Sequence, residues 1–211
     1  MKCWGTQLIG RMMTATSVLA RFSLFGIFAL ALSITGFVQP ARAQVTAFMQ
    51  AVAEAAASDR EIAEFYKSNG YKGIWTARGG RDKQRRQAFL RAVSEAPAHA
   101  LPASRYDPET LQINLRKVTS ERELGRLEVE MSRLFLRYAR DIQTGIVVPS
   151  RIDSGMVREV PYRGRTAILQ AFSKSSPQGF IKSLPPKSPE YARLMKEKMS
   201  FEKLLGKGGW G

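Results

Sequence analysis

Any histidine-dependent chemistry in this chain would have to use His99, the only histidine in 211 residues. It stands in EAPAHALPASRY, between prolines, and the sequence completes neither a Ser-His-Asp set nor a histidine-rich metal site around it. A single histidine in such a turn reads as structural. Two facing carboxylates could hydrolyse a glycosidic bond. However, Asp59 and Asp107 are explained as helix starts, most glutamates fall on polar helix faces, and no two are singled out as a facing pair. Gly79-Gly80 is a lone pair before a basic helix and makes no phosphate-binding loop. What remains is non-covalent. Arg122, Arg126, Arg133, Arg137 and Arg140 form a series along one helix, either a solvated face or a surface for anions. Trp75, in NGYKGIWTA, either stacks on a sugar ring or wedges a helix–helix junction. The residues therefore name no catalytic group, no metal ligand and no cofactor. They offer at most a polymer-binding surface of Arg126, Arg133, Arg137, Arg140 and Trp75.

The elements that must position these residues read as helices joined by short turns containing proline or glycine. Ser58-Asp59-Arg60-Glu61 has the pattern of a capping box, and its helix should end at Asn69-Gly70, with Ile62, Phe65 and Tyr66 on one face. Asp82 is expected to cap a helix that carries Phe89, Leu90 and Val93 and stops by Pro97. Asp107-Pro108 places a capping carboxylate before a proline at the first helical position, and Leu111, Leu115 and Val118 follow at helical spacing. Ser120-x-x-Glu123 opens the clearest helix, ERELGRLEVEMSRLFLRYARDIQTG. Its apolar stripe is Leu124, Leu127, Met131, Leu134 and Tyr138, with Gly145 just past the end. Ser176-Pro177 and Ser188-Pro189 repeat the cap-then-proline signal. Only YKGIW and TGIVVPS read as short extended segments. The expected fold is all-α, a compact multi-helix domain.

Residues 1–43 read as a secretory signal peptide rather than part of that domain. Phe22 to Val38 is a run of seventeen residues without a charge, Pro40 breaks it, and Ala41-Arg42-Ala43 makes an A-x-A cleavage site. The rival reading is an uncleaved anchor, which seventeen residues barely allow. The start codon could be Met1, Met12 or Met13. Cleavage before Gln44 removes Cys3, the only cysteine, which precedes the apolar run and so cannot be a lipoprotein cysteine. It also removes Lys2, Arg11, Arg21 and Arg42, lowering the net charge from +15 to +11. In an exported chain that charge points away from nucleic acid and toward cell-wall polymers or lipid headgroups, or it serves solubility alone. The membrane is a partner only through an uncleaved signal segment. The sequence does not give the oligomeric state. Residues 44–57 read as an N-terminal helix or linker.

The order of motifs resembles the N-terminal scaffold domain of the large periplasmic L,D-transpeptidases over about residues 58 to 211. The pieces that carry the resemblance are Phe65, Tyr66, Tyr71 and Trp75; His99, Leu101 and Tyr106; Arg137 to Asp141 with Gly145; and Leu184 to Pro186 with Tyr191 and Leu194. Two departures are visible. Ala100 stands where many relatives have glycine, and Glu128 and Glu130 stand where an aspartate is common. The resemblance implies an exported, periplasmic protein of peptidoglycan cross-linking whose helical scaffold occupies residues 58–206. In such enzymes a GGW segment leads to a peptidoglycan-binding-like domain. A catalytic domain follows, with its cysteine in an S-x-G-C-x-R-type motif and a histidine upstream. On that reading residues 207–211 are a linker cut short, and this chain is a non-catalytic scaffold with peptidoglycan or wall machinery as partner. The reading that stands against it is an exported basic helical module for wall polymer or anionic lipid.

Overall fold

A computed structural model describes residues 45–157 and 162–210. The expected signal peptide lies outside these residues. The described part belongs to one compact unit that starts at Val45. Among the described residues it is all-α, with helices α1 (Ala47–Ala56), α2 (Arg60–Ser68), α3 (Gly80–Ser94), α4 (Pro108–Lys117), α5 (Glu121–Thr144), α6 (Pro149–Ile152), α7 (Arg165–Lys174), α8 (Pro177–Lys182) and α9 (Pro189–Leu205). Two 3-10 turns, Ala96–His99 and Ala103–Arg105, join α3 to α4. YKGIW and TGIVVPS are therefore loops at the ends of helices, not strands.

Side-chain caps start three helices where the sequence placed them, at Asp107, Ser120 and Ser188, whereas Ser176 precedes α8 without a side-chain cap bond. The Asp107 carboxylate accepts from Thr110 N at 3.1 Å, and the Ser188 hydroxyl from Tyr191 N at 3.2 Å. Ser120 and Glu123 form the reciprocal capping box, each side chain accepting from the other's backbone. The first box is displaced by one residue: Asp59, not Ser58, caps α2 and accepts from Ile62 N. Asp82 is not a cap. Gly79 precedes α3, and Asp82 lies in the first turn, where one oxygen accepts from Arg85 at 2.8 Å and the other from Ala77 N at 3.1 Å.

Helix α5 is the axis of the core, packed along α1 and touching α2 and α7. Gly125 permits the α1 contact: a methyl group there would stand 2.6 Å from the Phe48 carbonyl oxygen and 2.8 Å from Ala51 Cβ. The buried face of α5 is wider than the expected stripe and turned from it. Leu127, Met131 and Tyr138 are buried as expected, but Leu124 and Leu134 are only half-buried. The deepest apolar positions include Val129, Phe135 and Ala139, which the stripe omitted.

Trp75 sits where α3, α5 and α7 converge. Its ring lies 5.1 Å from Phe172, 5.4 Å from Phe135 and 5.6 Å from Phe89. Such aromatic contacts add to the large apolar area each ring buries.

The loop carrying Trp75 is clamped from two sides. From α5, the fully buried Glu128 carboxylate accepts from Ile74 N at 2.7 Å, Trp75 N at 3.1 Å, and Thr76 N and Oγ1 at 2.9 and 2.8 Å. It also accepts from the Tyr66 hydroxyl at 2.9 Å. Trp75 Nε1 donates to Ser132 Oγ at 2.8 Å, and that hydroxyl meets Tyr66 Oη at 2.7 Å. From α3, Arg85 donates to the Ile74 and Ser173 carbonyls, and Arg86 donates to the Trp75 and Ala77 carbonyls. Burial pushes the Glu128 carboxyl up from the usual carboxylate range, and the donors around it pull it back. Gly73 allows the close approach, since a Cβ there would lie 2.9 Å from Glu128 Oε2.

Helix α9 contributes no buried side chain and leans on the first 3-10 turn, where His99 Nδ1 lies 2.6 Å from Tyr191 Oη. Ala100, directly after that turn, has φ +57°, the left-handed region in which a Cβ is strained. The glycine common in relatives would fit this backbone without strain.

Candidate functional site

The last two turns of α5 divide their side chains sharply. Tyr138, Ala139 and Asp141 turn inward, while Arg137 and Arg140 remain exposed. The inward aspartate ties down the preceding loop. Asp141 Oδ2 accepts from Arg105 Nε at 2.6 Å and from the Tyr106 hydroxyl at 2.9 Å. Burial and the Asp141 carboxylate raise the Tyr106 hydroxyl well above its ordinary range, so the tyrosine stays a donor.

Beside this helix end lies a cleft of about 900 Å³. Six arginines line it: Arg133, Arg137 and Arg140 from α5, Arg105 from the second 3-10 turn, Arg151 from α6 and Arg165 from α7. Two aspartates share the wall and are already engaged, Asp141 with Arg105 and Asp59 with Arg165 at 2.5 Å. Arg133 is held by neutral partners, the Ala55 carbonyl and the Ser58 hydroxyl. Among the described residues, no carboxylate pairs with Arg137, Arg140 or Arg151. Arg140 also stands over the Tyr162 ring, 5.9 Å from its centre, in cation–π range. The lip is apolar: Ile146, Val147 and Val148 are exposed there.

The structure gathers part of the expected surface. Arg133, Arg137 and Arg140 meet in the cleft. Arg126 is exposed two turns earlier, in a separate depression of about 220 Å³ beside α4. Trp75 leaves the set. It is wholly buried, so its ring cannot stack on a ligand, and the wedge reading is the one the packing realises. Arg105, Arg151 and Arg165 were absent from the expected surface because they come from segments far apart in the chain.

His99 faces Tyr191 rather than the cleft, and its burial lowers its affinity for a proton. Among the described residues, no group of three or more histidine, cysteine, aspartate or glutamate side chains is placed to hold a metal ion. No described helix is long and apolar enough to cross a membrane.

A family model described as the scaffold domain matches residues 60–197. The chain belongs to the scaffold-domain family. No curated protein and no solved structure matches it. The matched region of this scaffold domain starts with α2 and ends within α9. Its motif residues build the fold: Tyr66 and Trp75 meet at Ser132, Tyr106 reaches Asp141, and His99 meets Tyr191. Arg137, Arg140 and Gly145 belong to a motif yet line the cleft, and Leu194, also a motif residue, is exposed.

Proposed function

We propose that the chain is the non-catalytic scaffold portion of an exported L,D-transpeptidase-like protein that serves peptidoglycan cross-linking or remodelling. The match of the scaffold-domain family over residues 60–197 carries this reading. The motif order supports it, because Tyr106 pairs with Asp141 and His99 with Tyr191, residues on which the resemblance to the transpeptidase scaffold rests. On this reading the domain holds and positions, and the acyl transfer belongs to a cysteine in another domain. A thioester intermediate needs a thiolate, and Cys3 is the chain's only thiol. The first 43 residues export the protein to the periplasm, and the arginine cleft rests against the anionic wall.

The test is to incubate the purified protein with a donor muropeptide and to separate the products. No cross-linked peptide is expected, together with retention on isolated peptidoglycan in preference to other anionic polymers. Cross-linking by this chain alone overturns the assignment of roles. Equal retention on anionic lipid vesicles favours the basic-module reading instead.

A further inference from the structure

The cleft has a composition that selects among anions. A guanidinium is a planar fork that grips a carboxylate or phosphate through two parallel hydrogen bonds. Here the forks that the described residues leave without a carboxylate, Arg137, Arg140 and Arg151, come from two different helices. A ligand with a single charge can satisfy one of them; a ligand that satisfies all three carries several anionic groups along its length. The engaged arginines show which anion the wall accommodates, because Arg105 and Arg165 already hold aspartate carboxylates.

The lip supplies a second chemistry. Between Gly145 and Pro149 the chain runs outside any helix, with Ile146, Val147 and Val148 exposed. Among the described residues, nothing in the protein bonds the N–H groups of these three residues or the carbonyls of Ile146 and Val147. A phosphate group accepts from amides but has no donor for the Ile146 and Val147 carbonyls. A peptide serves both, since its backbone supplies donors and acceptors and its side chains pack on the valines.

We propose that the cleft between the end of α5, α6 and the start of α7 binds an extended peptide bearing two or more carboxylates. Its carboxylates lie on Arg137, Arg140 and Arg151, and its backbone lies along residues 146–148. This deepens the wall-docking reading and rests on the cleft being the docking surface, not on which wall component presents the peptide.

The probe is an N-terminally labelled hexaglutamate peptide, followed by fluorescence anisotropy. The protein is expressed from its full coding sequence and purified as the cell leaves it. Arg137→Gln with Arg140→Gln is expected to weaken binding about tenfold or more, since it removes two of the three guanidinium forks that can grip the peptide's carboxylates. The charge-matched pair Arg122→Gln with Arg126→Gln, on the same helix but outside the cleft, should change it by less than about twofold, as screened distant charges do. Far-ultraviolet circular dichroism of each variant confirms the fold. Equal weakening by the two pairs overturns the proposal, as does tighter binding of polyphosphate or of anionic vesicles than of the peptide. Peptide binding with no retention on peptidoglycan sustains the inference and sinks the wall reading. Retention through these arginines without peptide binding sinks the inference alone.

Discussion

Replacing Glu128 by glutamine tests the clamp on which the core depends. The carboxylate is fully buried and accepts from three consecutive backbone amides, Ile74, Trp75 and Thr76, and from the hydroxyls of Thr76 and Tyr66. A carboxylate is acceptor-only, which suits five donors. A glutamine keeps one acceptor oxygen and turns an NH2 group toward the donors on the other side. If the amide nitrogen replaces Oε2, it faces Thr76 N and the Thr76 hydroxyl, while Trp75 N keeps Oε1 at 3.2 Å; if it replaces Oε1, it faces Ile74 N and the Tyr66 hydroxyl. Two donors are stranded in either orientation, at about 1–3 kcal/mol each. Removing a buried charge returns part of that, as does any hydroxyl that rotates to accept. The net loss should be about 2–4 kcal/mol, a large part of a typical folding free energy of about 5–15 kcal/mol. Urea unfolding followed by circular dichroism and tryptophan fluorescence measures it, with Thr76→Val as a control that loses one side-chain bond and about 1 kcal/mol. A loss under about 1 kcal/mol for Glu128→Gln would refute the reasoning, because the carboxyl would then be held as a neutral acid that an amide replaces.

Gly125→Ala should destabilise the protein by about 1–3 kcal/mol in the same assay despite alanine's better helix propensity, because the methyl group meets the Phe48 carbonyl. Ala100→Gly should stabilise it by about 0.5–1 kcal/mol, relief of the left-handed strain exceeding the added freedom of the unfolded chain. Burial depresses the His99 pKa in the folded state; to a smaller extent Glu95 opposes this and Lys198 adds to it. Its contribution to stability is therefore complete above the unfolded value of about 6.5 and is lost as the pH falls through the lower folded value. Stability measured from about pH 7.5 to about pH 5 should fall in the wild type, and His99→Gln should flatten that limb. Phe135→Ala should cost about 3–5 kcal/mol, more than Leu134→Ala, since Phe135 is fully buried and Leu134 is not.

Much of the fold is written in local chemistry. The caps at Asp107, Ser120 and Ser188 and the length of α5 follow from short-range rules that tertiary contacts do not override here. Glu128 was legible in part. It falls at spacings of three, four, three and four with Met131, Phe135, Tyr138 and Ile142, all buried, so it occupies a core position of the helix. A glutamate there reads as polar surface unless that register is followed, and the donors that satisfy it come from a loop more than fifty residues away. Asp82 was misplaced for a similar reason, because its partner Arg85 is buried only in the tertiary structure. The cleft is the least legible feature. Three of its arginines share α5, but Arg105, Arg151 and Arg165 join them only after the chain has folded. The aromatic at Trp75 shows the limit of residue type alone: a ring suited to a sugar is equally suited to a core, and only burial decides.

Retention on isolated peptidoglycan, measured for the wild type and for Arg137→Gln with Arg140→Gln over a range of salt, tests the functional account most directly. The wild type should be retained at low ionic strength and released steeply as salt rises past about 0.15 M, where the screening length falls below about 8 Å. The double variant should be released already at low salt, while Arg122→Gln with Arg126→Gln should behave as the wild type. Retention that is indifferent to salt, or equal for the cleft variant and the wild type, would contradict the assignment of the arginine cleft as the docking surface.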